Sequence, residues 1–257
     1  MILIYIYIII TVKQNQKIRP IILCGGSGSR LLLSKYNKNS LPKQFVDFGG
    51  WNLFEKVLLR LKNPIFDTPI ISTNKKYLNH VKKYLKKNKI SKYKIVVEPE
   101  KRNTAPAILS SALIKDIPDN QPLMFFTADH LIEKMSVFNK AINKNKSNLN
   151  KENIFVFGIK PNSPTSDYGY FLTKKIKGNI NKVTRFIEKP KEAKAKQIIK
   201  NKGYWNSGMF YLRKDSIINN FKKYQSKTYR NCLNAVNKAK YKANTYYLNK
   251  ASFIKAT

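Results

Sequence analysis

The chain is short of acidic residues: 14 Asp and Glu stand against 50 Lys and Arg, leaving a formal charge of +36 at pH 7. Such an excess points first to a polyanion such as nucleic acid. The distribution argues against that. The basic residues are mostly Lys, spread from Lys13 to Lys255 rather than gathered in one stripe. Ile, Asn, Tyr and Phe, the residues that AT-rich codons specify, are abundant beside them, so a biased genome yields this composition without nucleic-acid binding. A solvated basic surface is therefore expected, with no nucleic-acid partner. Its positive long-range field still favours phosphorylated substrates at low salt. Cysteine is also scarce. Cys24 and Cys232 give neither a disulfide framework nor a metal-binding spacing. Cys24, inside an apolar run, reads as a small buried hydrophobe, and a reducing, cytoplasmic setting fits. The 42% hydrophobic and 12% aromatic content excludes general disorder. A chain of 257 residues holds one large α/β domain or two small ones.

Long apolar runs are absent but for the first twelve residues, MILIYIYIIITV. These are too few to span a bilayer as a helix, so no stable membrane insertion is expected. No basic segment precedes them and no small-residue cleavage site follows, as a signal peptide requires. Density in Ile and Tyr favours a strand, and an exposed one would be aggregation-prone. Three readings stay open: an added edge strand, a membrane-associating tail, or an upstream stretch included by a misplaced start. The last is favoured because a recognisable domain begins only near Arg19.

From Arg19 the chain alternates short β runs with amphipathic stretches. Arg19 to Cys24 is an apolar run halted by glycines and reads as a buried strand. Leu53, Phe54, Val57, Leu58 and Leu61 recur at helical spacing, as do Tyr77, Val81, Tyr84 and Leu85. Pro69 to Thr73, Lys94 to Glu98 and Pro122 to Ala128 read as strands, with a helix over roughly Ala105 to Lys115 before the last. This βαβα order predicts a parallel sheet covered on both faces, with ligands at the carboxyl ends of its strands. Beyond residue 150, Ile154 to Ile159, Gly169 to Thr173, Lys182 to Ile187 and Ser207 to Leu212 read as strands with fewer helices between them. A mixed-sheet second half closing over the pocket is expected. Lys140 to Asn153 reads as a helix end and loop, and there is no internal repeat.

The loop Gly25-Gly26-Ser27-Gly28-Ser29-Arg30 follows the first strand. Glycines let a backbone approach a ligand closely. Successive N–H groups can then cradle phosphate oxygens, with Arg30 adding charge-assisted bonds. A tight strand-to-helix turn is the plainer alternative. The loop has neither the Gly-Lys-Ser/Thr ending of a Walker A motif nor the dinucleotide-binding glycine spacing. Ile21 to Leu31 followed by Pro42-Lys43-Gln44-Phe45 resembles the opening of the sugar-nucleotide pyrophosphorylases, and among them the bacterial mannose-1-phosphate guanylyltransferases. The resemblance continues through Glu98-Pro99-Glu100-Lys101-Arg102-Asn103-Thr104-Ala105-Pro106-Ala107 and Ala128-Asp129-His130. It resumes at Phe157-Gly158-Ile159, Tyr168-Gly169-Tyr170, Phe186-Ile187-Glu188-Lys189-Pro190 and Tyr204 to Phe210. These blocks stand in family order over roughly residues 19 to 257.

The resemblance implies a Rossmann-like α/β nucleotidyltransferase fold, with a mostly parallel mixed central sheet flanked by helices. Residues 1–18 would lie outside it and residues 19–257 would form the catalytic domain. It implies transfer of GMP from GTP to mannose 1-phosphate, with Mg²⁺ as cofactor and a homo-oligomer as a further expectation. By the same resemblance Arg30 and Lys43 hold the triphosphate and neutralise the leaving pyrophosphate. Asp129, after an apolar strand, holds the metal; an Asp there can also cap a helix. His130 reads as a packing neighbour and His80, on a basic helix, as surface.

Asn103 and Thr104 contact the nucleotide by resemblance and cap a helix otherwise. Glu188 and Lys189 contact sugar hydroxyls and sugar phosphate by resemblance. Neighbouring strand residues point to opposite faces, so both can serve one ligand only where the strand twists or ends, as Pro190 allows. They read otherwise as a surface ion pair. Gly169 lets backbone approach the sugar, Asn206 offers it a donor and an acceptor, and Trp205 reads as core or as platform. Two departures stand out. Residues 32–41 replace a slightly shorter Trp-Pro-containing segment beside the triphosphate. A second metal-binding Asp of the family falls in a segment beyond the position matching Thr257, so a fragment, or a metal site completed by another group, is expected. Alternative functions are a pyrophosphorylase for another nucleotide and hexose 1-phosphate, or a catalytically impaired nucleotide-sugar binding protein.

Overall fold

The computed structural model describes residues 16–26, 41–177 and 180–256. Strand β1 (Arg19–Leu23) lies between β2 (Ile70–Asn74) and β4 (Pro122–Thr127), parallel to both, and β3 (Lys94–Glu98) adds in parallel beyond β2. The order β3-β2-β1-β4 reverses at β1, so the crevice at the carboxyl ends of β1 and β4 is the topological switch point. Leu23 faces Thr127 in register, and each strand then runs directly into a predicted site loop.

The four strands are buried on both faces, and alternation divides their side chains between two cores. Ile22, Ile71, Ile95, Met124 and Phe126 face α1 (Leu53–Arg60), α2 (Leu78–Lys87) and α4 (Met135–Asn145). Ile21, Ile70, Val96, Leu123 and Phe125 face α3 (Thr104–Ala112) on the other side. Helix α1 begins where the Asn52 side chain accepts the Glu55 amide at 2.9 Å, a capping arrangement worth about 1 kcal/mol. Its Phe54, Val57 and Leu58 are fully buried, as their spacing predicts. Helix α3 is shorter than its sequence pattern. The chain turns after Ala112 so that Ile114 and Ile117 enter the core while Lys115 stays outside. Cys24 is buried as predicted. His80 departs from its surface reading: it is half-buried and stacks on Phe45, ring centroids 5.3 Å apart.

The second half is mixed. Strand β8 (Tyr204–Arg213) runs antiparallel to β4, to β5 (Ile154–Ile159) and to β6 (Tyr170–Lys177), and β6 pairs in turn with β7 (Ile180–Ile187). Trp205 pairs with both β5 and β6, and Leu212 with both β5 and β4. Strand β5 therefore occupies one edge of β8, while β6 and β4 share the other, one beyond the end of the next. The β6–β7 hairpin thus stands directly past the carboxyl end of β4. Helix content in this half exceeds the sequence reading. Helix α5 (Glu192–Lys200) packs Ala195 and Ile198 under the hairpin, and α6 (Lys214–Tyr224) and α7 (Ser226–Asn237) join the α3 side of the sheet. Strands β9 (Lys240–Lys242) and β10 (Thr245–Tyr247) and helix α8 (Lys250–Phe253) follow, with β10 parallel to β3. Ile18 is fully buried and hydrogen-bonds with Ile65 and Asp67, so the packed core extends at least one residue before Arg19.

Candidate active site

At the switch point, Cys24-Gly25-Gly26 leaves β1. The Cys24 amide donates to the Ser72 carbonyl at 2.7 Å, holding the start of the loop against β2. A Cβ placed on Gly25 would lie 3.1 Å from Glu98 Oε1, so glycine there admits a carboxylate from the end of β3. Glu98 is buried and accepts the Ser72 hydroxyl at 2.8 Å. Burial pushes its carboxyl up to about 6, against the opposing pull of that hydrogen bond. Gln44 Nε2 donates to the Gly26 carbonyl at 3.0 Å and ties the glycine loop to the helical turn Lys43–Phe45. Ser27, Gly28, Ser29 and Arg30 lie outside the described residues.

That turn delivers Lys43 onto Asp129. Its ammonium pairs with Asp129 Oδ2, with both side chains three-quarters or more buried. Asp129 follows the end of β4 and does not cap a helix: the next one, α4, starts at Met135 with Lys134 as its N-cap residue. His130 Nε2 stands 3.7 Å from Asp129 Oδ1. Burial lowers the His130 pKa; Asp129 opposes that shift, and the positive charges of Lys43 and Arg60 add to it. A carboxylate beside the glycine loop, already held by one cation, is suited to exchanging that cation for another. Among the described residues no group of three or more His, Cys, Asp and Glu converges on a metal position. Mg²⁺ suits such a place, since one or two carboxylates hold it and substrate phosphates supply further oxygens.

The other predicted residues gather on the β6–β7 hairpin and β8. A Cβ on Gly169 would fall 2.7 Å from Glu188 Oε2 and 2.8 Å from the Phe186 ring, so any larger residue there would push these two exposed side chains aside. The Gly169 carbonyl accepts the Asn206 amide at 2.8 Å. Strand β7 ends at Ile187, and Lys189 adopts a left-handed φ of 42°. This break brings the Lys189 ammonium to 3.9 Å from Glu188 Oε1, so both side chains can address one ligand. Both are about half exposed. Asn206 Oδ1 accepts the amide of Gly208, whose φ of 70° is the left-handed region that favours glycine. A Cβ there would touch Thr127, two residues before Asp129. The Asn206–Gly208 bend therefore joins the hairpin to the end of β4. Trp205 is half-buried in the hairpin's small core and packs 5.0 Å from Tyr168.

Asn103 and Thr104 begin α3, both exposed, and the Asn103 side chain makes no capping bond. Their loop is tethered from behind, where Arg102 donates to the Ile254 carbonyl and Lys250 pairs with Glu100 at 2.8 Å. Gln44, Glu98 and Arg60 belong to the site although sequence reasoning did not single them out. Gln44 and Glu98 stood inside the motif blocks. Arg60 carried no signal beyond its place in a helix.

The nucleotidyl transferase family model matches residues 19–251. The alginate biosynthesis protein AlgA of Pseudomonas fluorescens is 32% identical over 240 residues, which cover 91% of this chain and 49% of that protein. A mannose-1-phosphate guanylyltransferase of Klebsiella pneumoniae is 34% identical over 229 residues, covering 86% and 48%. The chain thus spans about half the length of these curated relatives. A crystal structure described as mannose-6-phosphate isomerase from Helicobacter pylori superposes with a TM-score of 0.75 at 28% identity, covering 93% of this chain and 88% of that one. One described as mannose-1-phosphate geranyltransferase from Thermus thermophilus gives 0.77 at 20% identity, covering 94% and 68%, and shares the fold. No helix among the described residues is long and apolar enough to cross a membrane. With the glycine loop and Asp129 meeting at the switch point of such a sheet, the chain belongs to the nucleotidyl transferase family.

Proposed function

We propose that the chain from Ile18 onward forms a unit that transfers GMP from GTP to α-D-mannose 1-phosphate, giving GDP-mannose and pyrophosphate. The observation that carries this reading is the Lys43–Asp129 pair beside the glycine loop, with the Gly169–Glu188–Lys189 group on the strand edge directly beyond. A sugar-phosphate oxygen attacks the α-phosphorus, the bond to the β-phosphate oxygen breaks in line, and pyrophosphate departs with the electron pair. The protein's work is then alignment and neutralisation of charge.

In this reading the backbone of Gly25 and Gly26 and the loop to Arg30 receive the triphosphate. Lys43 moves from Asp129 to the phosphate oxygens and stabilises charge on the leaving group. Asn103 and Thr104, whose side chains cap nothing, contact the nucleotide. Glu188 accepts from sugar hydroxyls, Lys189 holds the sugar phosphate, Asn206 hydrogen-bonds hydroxyls, and Gly169 keeps the backbone close to the ring. Asp129 would hold Mg²⁺, which supplies Lewis-acid stabilisation of phosphate charge when bound. GTP and mannose 1-phosphate are chosen over other pairs on the 34% identity to the mannose-1-phosphate guanylyltransferase of Klebsiella.

Pyrophosphate release in the presence of Mg²⁺, measured across a matrix of nucleoside triphosphates and sugar 1-phosphates, tests this. Turnover confined to GTP with mannose 1-phosphate supports the full reading. Turnover with a different pair retains the chemistry and discards the substrates. GTP binding without turnover favours a nucleotide-sugar binding protein.

A further inference from the structure

Arg60 stands in the last turn of α1. It is 5% exposed, and among the described residues no carboxylate pairs with it. Among the described residues its Nε and Nη1 have no hydrogen-bond partner. Burying a guanidinium in this way carries a steep desolvation cost, and an apolar side chain of similar volume commonly serves a core as well or better. Burial lowers its pKa to about 10, so it still carries its charge near neutrality. Packing alone therefore does not account for an arginine here.

Its two contacts do. Arg60 Nη2 donates to the His130 carbonyl at 3.2 Å, and the guanidinium carbon lies 5.6 Å from the centre of the Phe126 ring. Phe126 and His130 bracket Thr127, Ala128 and Asp129. The arginine thus grips the end of β4 before and after the carboxylate, on a helix fixed by the buried Phe54, Val57 and Leu58. A planar guanidinium can lie by an aromatic ring and donate at its edge at the same time, which an ammonium or an apolar side chain does less well. Without that grip the His130 carbonyl loses its partner, and the turn is free to swing the carboxylate away from Lys43 and the glycine loop.

We infer that Arg60 is a positioning residue, which fixes the turn 127–130 so that Asp129 faces the phosphate crevice. This rests on the reading of Asp129 given above, and it adds that the accuracy of the site depends on a residue that touches no substrate.

The test compares Arg60→Met and Arg60→Lys with the unaltered chain by amide hydrogen exchange without ligands, thermal unfolding, and steady-state pyrophosphate release. In Arg60→Met, exchange at residues 128–131 is expected to rise at least tenfold, while α1 and residues 123–126 of β4 keep their protection. The kcat should fall ten- to a hundredfold with the KM for mannose 1-phosphate within twofold, and Arg60→Lys should recover part of both losses. Unchanged exchange at 128–131 overturns the inference, as does exchange rising equally through α1 and β4, which marks a purely structural role. A kcat within twofold of the parent overturns it too. Should Arg60→Met not fold, Arg60→Lys and Arg60→Gln carry the same comparison. If the parent shows no turnover, the proposed function has failed, and the exchange result still decides the role of Arg60.

Discussion

Removing the Lys43 ammonium is expected to strengthen the protein's hold on a free divalent cation while weakening catalysis. In the ligand-free site that ammonium sits on Asp129 Oδ2, with the lysine side chain 20% and the aspartate 25% exposed. A cation that binds Asp129 before any nucleotide arrives must first break this pair. A charge-assisted hydrogen bond contributes about 1.5–3 kcal/mol, and partial solvent screening brings the figure to about 1–2 kcal/mol. At about 1.4 kcal/mol per tenfold, Lys43→Met should bind Mn²⁺ or Mg²⁺ roughly 5- to 30-fold more tightly without nucleotide. Loss of a charge that stabilises the leaving pyrophosphate should meanwhile lower kcat by about 10²–10³. Titration calorimetry with Mn²⁺ on the nucleotide-free protein reads the first effect, and Asp129→Asn, in which binding should vanish, supplies the control. Free-cation affinity that is unchanged or weaker in Lys43→Met would refute the reasoning, because the lysine would then not be guarding the carboxylate.

Other expectations follow from the same contacts. Glu98 holds its proton more tightly folded than unfolded, so its contribution to stability is full below the ordinary value near 4.5 and is lost as pH rises to about 6. Glu98→Gln should therefore be about 2 kcal/mol more stable than the parent above pH 6, with the gap closing below pH 4.5; urea titrations at pH 4 and 7.5 showing equal gaps would contradict this. Gly169→Ala forces a methyl against the mobile ends of Glu188 and Phe186, both exposed. It should raise the KM for mannose 1-phosphate about tenfold while stability changes by about 0.5 kcal/mol or less, and an unaltered KM would remove Glu188 from the sugar site. Gly203→Ala places its Cβ 2.3 Å from Ile198 Cγ2 and 2.9 Å from the Ile198 carbonyl. Backbone cannot yield there as a side-chain end can, so a loss of about 1–3 kcal/mol is expected in chemical denaturation.

The parallel half was legible because its strands are short apolar runs stopped by Gly, Pro, Asn or Asp, and because Leu53 to Leu61 repeats with a helix's spacing. The places of the glycine loop and Asp129 were legible for a related reason: they follow the carboxyl ends of β1 and β4, where the topology sets ligands. The roles of the remaining site residues came from the resemblance alone. What could not be read depended on distant partners or on backbone angles. Lys189 could share a ligand with Glu188 only if the strand ended near Pro190, and it is the left-handed φ of Lys189, which sequence does not display, that turns the chain there. His80 sits among lysines that mark a surface helix, and only the position of Phe45 gives its ring a stacking partner. Asn103 stands where a cap belongs but caps nothing, a difference of side-chain rotamer to which composition is blind. Arg60 was invisible because its significance lies wholly in Phe126 and His130, 66 and 70 residues further along the chain.

The pairing of β10 with β3 bears on how the chain is made. Ile95, Val96 and Val97 receive their outer neighbours, Thr245 to Tyr247, from a segment translated about 150 residues later. At roughly 5–20 residues per second, that flank of the sheet stays open for roughly 7–30 s of synthesis. During that interval a nascent β3 shows unsatisfied backbone groups beside three apolar side chains, the combination that invites strand addition from a neighbouring polysome product. Ribosome-bound chains arrested near residue 200 should accordingly be more aggregation-prone than chains released after Ala256. The abundant lysines of α2, carried on the same nascent surface, supply the charge that keeps such intermediates apart.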